Sequence, residues 1–169
     1  MILLSSVQFL TAQHGLRFNT TEFFTLSGSV DPVSSIKESG LDIVAEIEYV
    51  GFIYAKVGFE SFSALYGGYR DIHGSIGVNL TTGLYEKVRF YGGVRLAKVD
   101  RGSDGAFRPI YGIEGGIDFD LTNKFFLGIR GTIDKRYDQE IFGWTPELKS
   151  SGFIRLGYKW YFNRSISRN

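Results

Sequence analysis

The chain has 169 residues, with 19 Lys and Arg against 18 Asp and Glu, 22 glycines, three prolines and no cysteine. Balanced charge excludes a general electrostatic grip on nucleic acid, which needs a clustered basic excess, and the absence of thiols excludes disulfides, thiolate metal sites and cysteine nucleophiles. The length suits one domain, scarce proline suits long strands, and no run of ~18 apolar residues offers a transmembrane helix.

Residues 1–13, Met1 to Gln13, combine an apolar core with a small residue at Ala12 but lack a basic start, so they read as a signal-peptide remnant or as the opening of the first strand. A β-barrel domain is expected over 14–162 and a polar tail over 163–169. The first strand falls within Gly15 to Leu26, where Leu16 and Phe18 alternate with Arg17 and Asn19. A connection over Ser27–Gly40 follows, with a helical turn near Ser34 to Ser39.

From Leu41 the pattern is period-two alternation, the mark of a strand with two unlike faces. Ile43, Ala45, Ile47 and Tyr49 oppose Asp42, Glu46 and Glu48. After a turn near Gly51, Ile53, Ala55, Val57 and Phe59 oppose Tyr54, Lys56, Gly58 and Glu60. Ile72, Ile76 and Val78 oppose Asp71, His73 and Ser75; Val88, Phe90, Val94 and Leu96 oppose Lys87, Arg89, Tyr91 and Arg95. Tyr111, Ile113, Ile117 and Phe119 oppose Glu114, Asp118 and Asp120, and Phe125, Leu127, Ile129 and Ile133 oppose Arg130 and Asp134. In the last segment Ile154, Leu156, Tyr158, Trp160 and Phe162 face away from Lys149, Arg155 and Lys159, with Phe153 and Tyr161 as exceptions. Turns near Gly51, Thr82 and Asn123 are short, whereas Ser27–Gly40, Phe62–Gly68, Asp100–Arg108 and Tyr137–Pro146 are long. Short turns at one end and long loops at the other describe an all-β, eight-stranded antiparallel up-and-down transmembrane β-barrel.

A soluble lipocalin-like carrier of an apolar ligand has the same alternation turned inside out. The polar face argues against it. Its cations (Arg17, Lys56, Lys87, Arg89, Arg95, Arg130, Arg155, Lys159) nearly match its carboxylates (Asp42, Glu46, Glu48, Glu60, Asp71, Glu114, Asp118, Asp120, Asp134). Pairing is demanded of buried charges and optional for exposed ones. Glycines interleave with these charges, as a narrow lumen requires, and aromatics gather on the apolar face near the short turns, as at a membrane interface. The lumen is thus expected to be plugged by charge, with no sizeable channel.

On this pattern, and on Ala12-Gln13-His14-Gly15-Leu16-Arg17-Phe18-Asn19, the chain resembles small bacterial outer-membrane barrels of the outer-membrane protein A and X type, the "porin family". The resemblance implies a bacterial outer-membrane location with both termini periplasmic, contact with outer-membrane lipid, and a C-terminal signal read by the barrel-insertion machinery. Tyr158, Trp160 and Phe162 match that signal, although Asn163 to Asn169 follow it.

Catalytic chemistry is thinly represented. His73-Gly74-Ser75 is similar to the His-x-Ser pair of lipid A deacylases, the hydrolase alternative, but the accompanying partners are not at matching offsets and this pair falls on the polar face. Asp100 and Asp104 match no Ca²⁺-loop spacing, and two histidines without cysteine suggest no metal or other cofactor. Long-loop aromatics, Tyr137, Phe142 and Trp144, are candidate contacts for an envelope protein partner. The expected role is non-enzymatic: a structural or surface protein, or a subunit of an envelope complex.

Overall fold

The computed structural model describes residues 16–19, 21–37, 39–63, 69–82, 87–100 and 108–161. Eight strands form the wall: β2 (Phe23–Val30), β3 (Asp42–Val50), β4 (Ile53–Phe62), β5 (Tyr69–Thr82), β6 (Val88–Asp100), β7 (Arg108–Asp120), β8 (Phe125–Lys135) and β9 (Leu148–Tyr161). Each pairs antiparallel with its neighbour in sequence, and β2 also pairs with β9, from Phe23 opposite Tyr161 to Val30 opposite Ile154, so the sheet closes on itself. A ninth strand, β1 (Leu16–Phe18), lies outside that cycle and pairs only with the end of β5.

The alternation read from the sequence is the alternation of the wall. On β8 burial switches at every residue from Phe125 to Lys135, with Phe126, Arg130, Thr132 and Asp134 inside. Ile72 is 67 % exposed and Leu156 55 %, although both sit mid-strand in an apolar row. Rows of exposed Ile, Leu, Val and Phe circle the barrel, which is unlike a water-facing surface. No described helix is long and apolar enough to cross a membrane.

The first strand departs from expectation. It is not continuous over Gly15 to Leu26: β1 ends at Phe18 and β2 begins at Phe23. The amide of Asn19 donates to the carbonyl of Asn79, and Phe18 packs edge-on against Phe52 in the β3–β4 turn. The chain therefore crosses the short-turn end from β5 to β2 before entering the wall. Arg17 moves with it, and is exposed on β1 rather than lumenal. Its alternation with Leu16 and Phe18 belongs to an added strand, whose register sets Arg17 opposite Thr81 on the inward parity of β5 while leaving it exposed.

The long loops carry more order than expected. Ser27 to Val30 belong to β2, so the first connection is shorter than Ser27–Gly40. It holds helix α1 (Pro32–Lys37), started by Asp31, whose Oδ1 accepts from the amides of Val33 and Ser34 at 2.9 and 3.0 Å. Proline at the first helical position, behind an aspartate cap, is a favoured start. The β8–β9 connection contains a 3₁₀ helix (Tyr137–Phe142) that ends at Gly143, whose φ of 73° suits glycine. Residues 1–15 and 162–169, which include the signal-peptide reading, Phe162 and the polar tail, lie outside the described residues.

Asp31→Ala removes one cap, worth ~1 kcal/mol. Hydrogen exchange at the Val33 and Ser34 amides should quicken roughly fivefold, with the amides of β2 and β3 unchanged. Equal acceleration in both places would show that α1 and the wall open together.

Candidate functional site

The interior is the site. Most of the charges expected to line it are buried: Asp42, Glu46, Glu48, Lys56, Glu60, Asp71, Arg89, Arg95, Glu114, Asp118, Arg130, Asp134, Arg155 and Lys159. Each projects from the inward parity of its strand. Asp120 is half-buried, and Arg17 and Lys87 are the exceptions, both exposed.

The side chains form a connected ladder. Nearest the short turns, Lys159 pairs with Asp120. One step further in, Arg89 lies 3.1 Å from Glu48 and 2.7 Å from Asp118. Arg155 joins the same carboxylates at 3.2 and 3.5 Å and donates to the Tyr91 hydroxyl at 2.9 Å.

Glu46 is the hub. Its Oε1 is bound by Arg130, lies 3.4 Å from Lys56 Nζ and lies 3.2 Å from His73 Nε2. Lys56 also reaches Glu114 at 2.8 Å, and Glu114 accepts from the Tyr54 hydroxyl at 2.8 Å. A Cβ at Gly58 would stand 2.8 Å from both Glu46 Cγ and His73 Cε1, so the hub fits only because position 58 has no side chain.

Beyond the hub, His73 Nδ1 lies 2.7 Å from Asp71, and Arg95 bridges Asp71, Glu60 and Asp134 at 2.8, 3.3 and 2.7 Å. Towards the long-loop end apolar side chains take over, with Phe62, Tyr69, Ala97, Val99 and Ile110 in one buried cluster. A cavity of about 60 Å³ remains at the opposite mouth, between Phe23, Phe126 and Tyr161 and the Arg89–Asp118 and Lys159–Asp120 pairs.

Ligand atoms of Glu60, Asp71 and His73 lie within 4.8 Å of one another, the proximity a metal would need. Arg95 bridges Glu60 and Asp71, and His73 engages Asp71, so the same groups also form an ion-pair set. His73 and Ser75 are both buried on the inward face. The histidine nitrogens engage Asp71 and Glu46 rather than the Ser75 hydroxyl, and neither side chain faces lipid. The arrangement does not present an activated serine.

Outside, the aromatics form a partial girdle at the short-turn end. Tyr158 packs against Phe125 at 5.2 Å and Trp160 at 5.1 Å, and Phe24 against Tyr49 at 5.7 Å. Tyr161 turns inward against Phe23, and Phe153 lies under the Arg130 guanidinium, which accounts for the two exceptions in the final strand. At the long-loop end Tyr137 packs edge-on against Tyr111, and Trp144 is exposed. The Phe142 side chain lies outside the described part of the structure.

Two buried charges escaped the sequence reading. Asp31 ends β2 and caps α1, and Arg136 follows Asp134 on the inward parity to sit 4.7 Å from the centre of the Tyr69 ring. Extending the alternation past the expected strand ends would have found both.

No family profile and no curated protein matches the sequence. Solved structures do match it. A de novo designed transmembrane β-barrel superposes with TM-score 0.58 over 85 % of this chain and 100 % of its own, at 11 % identity. The N-terminal β-barrel domain of OprF from Pseudomonas aeruginosa superposes with TM-score 0.57, again over 85 % and 100 %, at 10 % identity. The fold is that of a transmembrane β-barrel. Neisserial surface protein A aligns over 88 % of this chain and 99 % of its own, at 16 % identity and TM-score 0.48. At such identities the likeness is one of backbone architecture, and the lumenal side chains must be argued from this chain alone.

Glu46→Ala leaves Arg130 buried without its carboxylate, a change of the kind that costs ~3–5 kcal/mol. Urea unfolding in lipid vesicles, followed by tryptophan fluorescence, should register that loss. Adding Arg130→Met should restore part of it, because removing both charges spares the desolvation penalty. A neutral Glu46→Ala would mean that the hub is not a stabilising ion pair.

Proposed function

We propose that the chain is a bacterial outer-membrane barrel with both termini in the periplasm. Its lumen is closed to diffusion by ion pairs, and it works without catalysis through its long loops. The carrying observation is the ladder from Lys159 to Arg95, buried and paired across the whole bore. Eight strands enclose only enough room for side chains, and here that room is taken by salt bridges and, at the long-loop end, by apolar packing. The exposed apolar exterior and the aromatic girdle support a lipid setting.

The surface left for a task is the loop rim. Because β2 pairs with β9, the β2–β3 and β8–β9 connections are neighbours, and α1 packs against β9. Trp144, Tyr137 and the exposed Val33 and Ile36 of α1 thereby share one side of the rim. A clustered apolar and aromatic rim suits a structural or adhesive surface role, or attachment to a partner subunit of the envelope. The barrel-insertion machinery is the expected assembly partner, reading the strand that ends in Tyr158 and Trp160.

Three measurements test this reading. The refolded chain should change mobility between unheated and boiled samples on a mildly denaturing gel, and it should fractionate with the outer membrane. In planar bilayers it should give no conductance steps above background. Large steps would overturn the closed lumen, and recovery in the soluble fraction would overturn the membrane reading.

A further inference from the structure

On the outward face of β6 to β9 the register sets Gly92 opposite Gly115, Gly115 opposite Gly131, and Gly131 opposite Gly152. The inward glycines beside large side chains have an internal reason to lack one, as Gly58 does. These four do not. A Cβ at Gly92, Gly115 or Gly131 would meet nothing nearer than 3.4 Å, and one at Gly152 nothing within 4 Å. Gly115, Gly131 and Gly152 of this row floor an apolar groove of about 380 Å³, with Ile117, Ile129 and Ile154 along one side.

Four residues nearer the long loops, the register aligns Leu96, Tyr111, Lys135 and Leu148 across the same strands. At ~3.3 Å per residue that row stands roughly 13 Å from the glycines. Lys98 on β6 and Arg70 on β5 continue the basic arc, and Arg70, Lys98 and Lys135 are all exposed. Asp100, in register with Arg70, is the one outward carboxylate among the described residues of β5 to β8. On β2, β3, β4 and β9 the outward positions carry no Lys or Arg. Cations and glycine groove therefore occupy one sector of the barrel, at the spacing of a headgroup and its acyl chain.

We propose that this sector binds a phosphate-bearing lipid of the leaflet beside the long loops, its phosphate held between Lys98 and Lys135 next to Tyr111 and an acyl chain laid in the groove over Gly115, Gly131 and Gly152. The proposal rests on the membrane-barrel reading. Charge complementarity selects the occupant. A second copy docked on this face about a two-fold axis along the membrane normal would bring the same cations against one another, whereas a phosphate neutralises them. Basic side chains at a membrane surface attract anionic lipid, and the bare backbone lets an acyl chain approach closely.

The test uses the full chain refolded into phosphatidylcholine vesicles containing spin-labelled phosphatidic acid or spin-labelled phosphatidylcholine. The motionally restricted fraction in the spin-resonance spectrum gives relative affinity. Phosphatidic acid should be preferred roughly fivefold to tenfold. Lys98→Gln with Lys135→Gln should bring the ratio close to one. Gly131→Leu, which fills the groove and leaves the charges in place, should also weaken phosphatidic acid binding. Gly28→Leu on β2, equally open but outside the basic sector, should not. Heat-dependent gel mobility confirms that each variant is folded.

Equal binding of the two lipids by a folded barrel overturns the lipid site and leaves the barrel reading intact, as does a preference that survives the double lysine variant. Energy transfer between copies that is abolished by Gly131→Leu overturns it in favour of a second copy. A chain that does not insert into vesicles fails the membrane reading itself, and this proposal with it.

Discussion

The structure depends on one closure, the pairing of β2 with β9 along Phe23 to Val30. A sheet in hydrocarbon cannot leave a strand edge unpaired, because no water is there to take up the free amides and carbonyls. Once the wall is a closed ring, every residue of every strand points either to lipid or to the bore. Parity then decides the environment of each side chain. A single-residue slip in any one strand would exchange the two environments along its whole length.

Closure also makes the bore a shared, limited volume, and the inward residues can be understood only together. Glu46 on β3 meets Arg130 on β8, Lys56 on β4 and His73 on β5, and none of these four could be buried comfortably without the others. Space for the set comes from glycine, most plainly Gly58. At the ends of the ladder the chemistry changes. Phe62, Val99 and Ile110 pack together towards the long-loop end, and Phe23, Phe126 and Tyr161 line the other mouth. Charge pairs thus run from the apolar cluster at one end to the mouth where Phe23, Phe126 and Tyr161 sit beside the Arg89–Asp118 and Lys159–Asp120 pairs.

The wall from β3 to β9 was legible because period two is dictated locally, residue by residue. The polar composition of the bore followed from the same alternation. Which charge meets which was not legible. Glu46 and Arg130 are brought together by the stagger of the whole ring, a property of strand registers that no local pattern encodes. The start of the chain was misread for a related reason. Leu16, Arg17 and Phe18 alternate as well as any strand, but their partner is Thr81 and its neighbours on β5, and the start of the crossing is tied by a hydrogen bond from the Asn19 amide to the Asn79 carbonyl. Alternation announces a strand without saying in which sheet position it will lie, and Arg17 was placed in the bore on that account. The loop helices were visible only in part: a helical turn was expected near Ser34 to Ser39, where α1 spans Pro32–Lys37, whereas the 3₁₀ turn after Arg136 carries no comparable signal.

The crossing also gives the barrel a mechanical asymmetry. β1 runs antiparallel to β5 and is hydrogen-bonded to it, while the wall proper begins only at Phe23. A pull on the chain ahead of Leu16 is therefore taken up first by the β1–β5 bonds, loaded in shear, and by the Phe18–Phe52 contact. Tension reaches the β2–β9 seam only after those have yielded. The seam that closes the ring is shielded from its own N-terminal end, much as a knot behind a grommet keeps strain off a stitched edge.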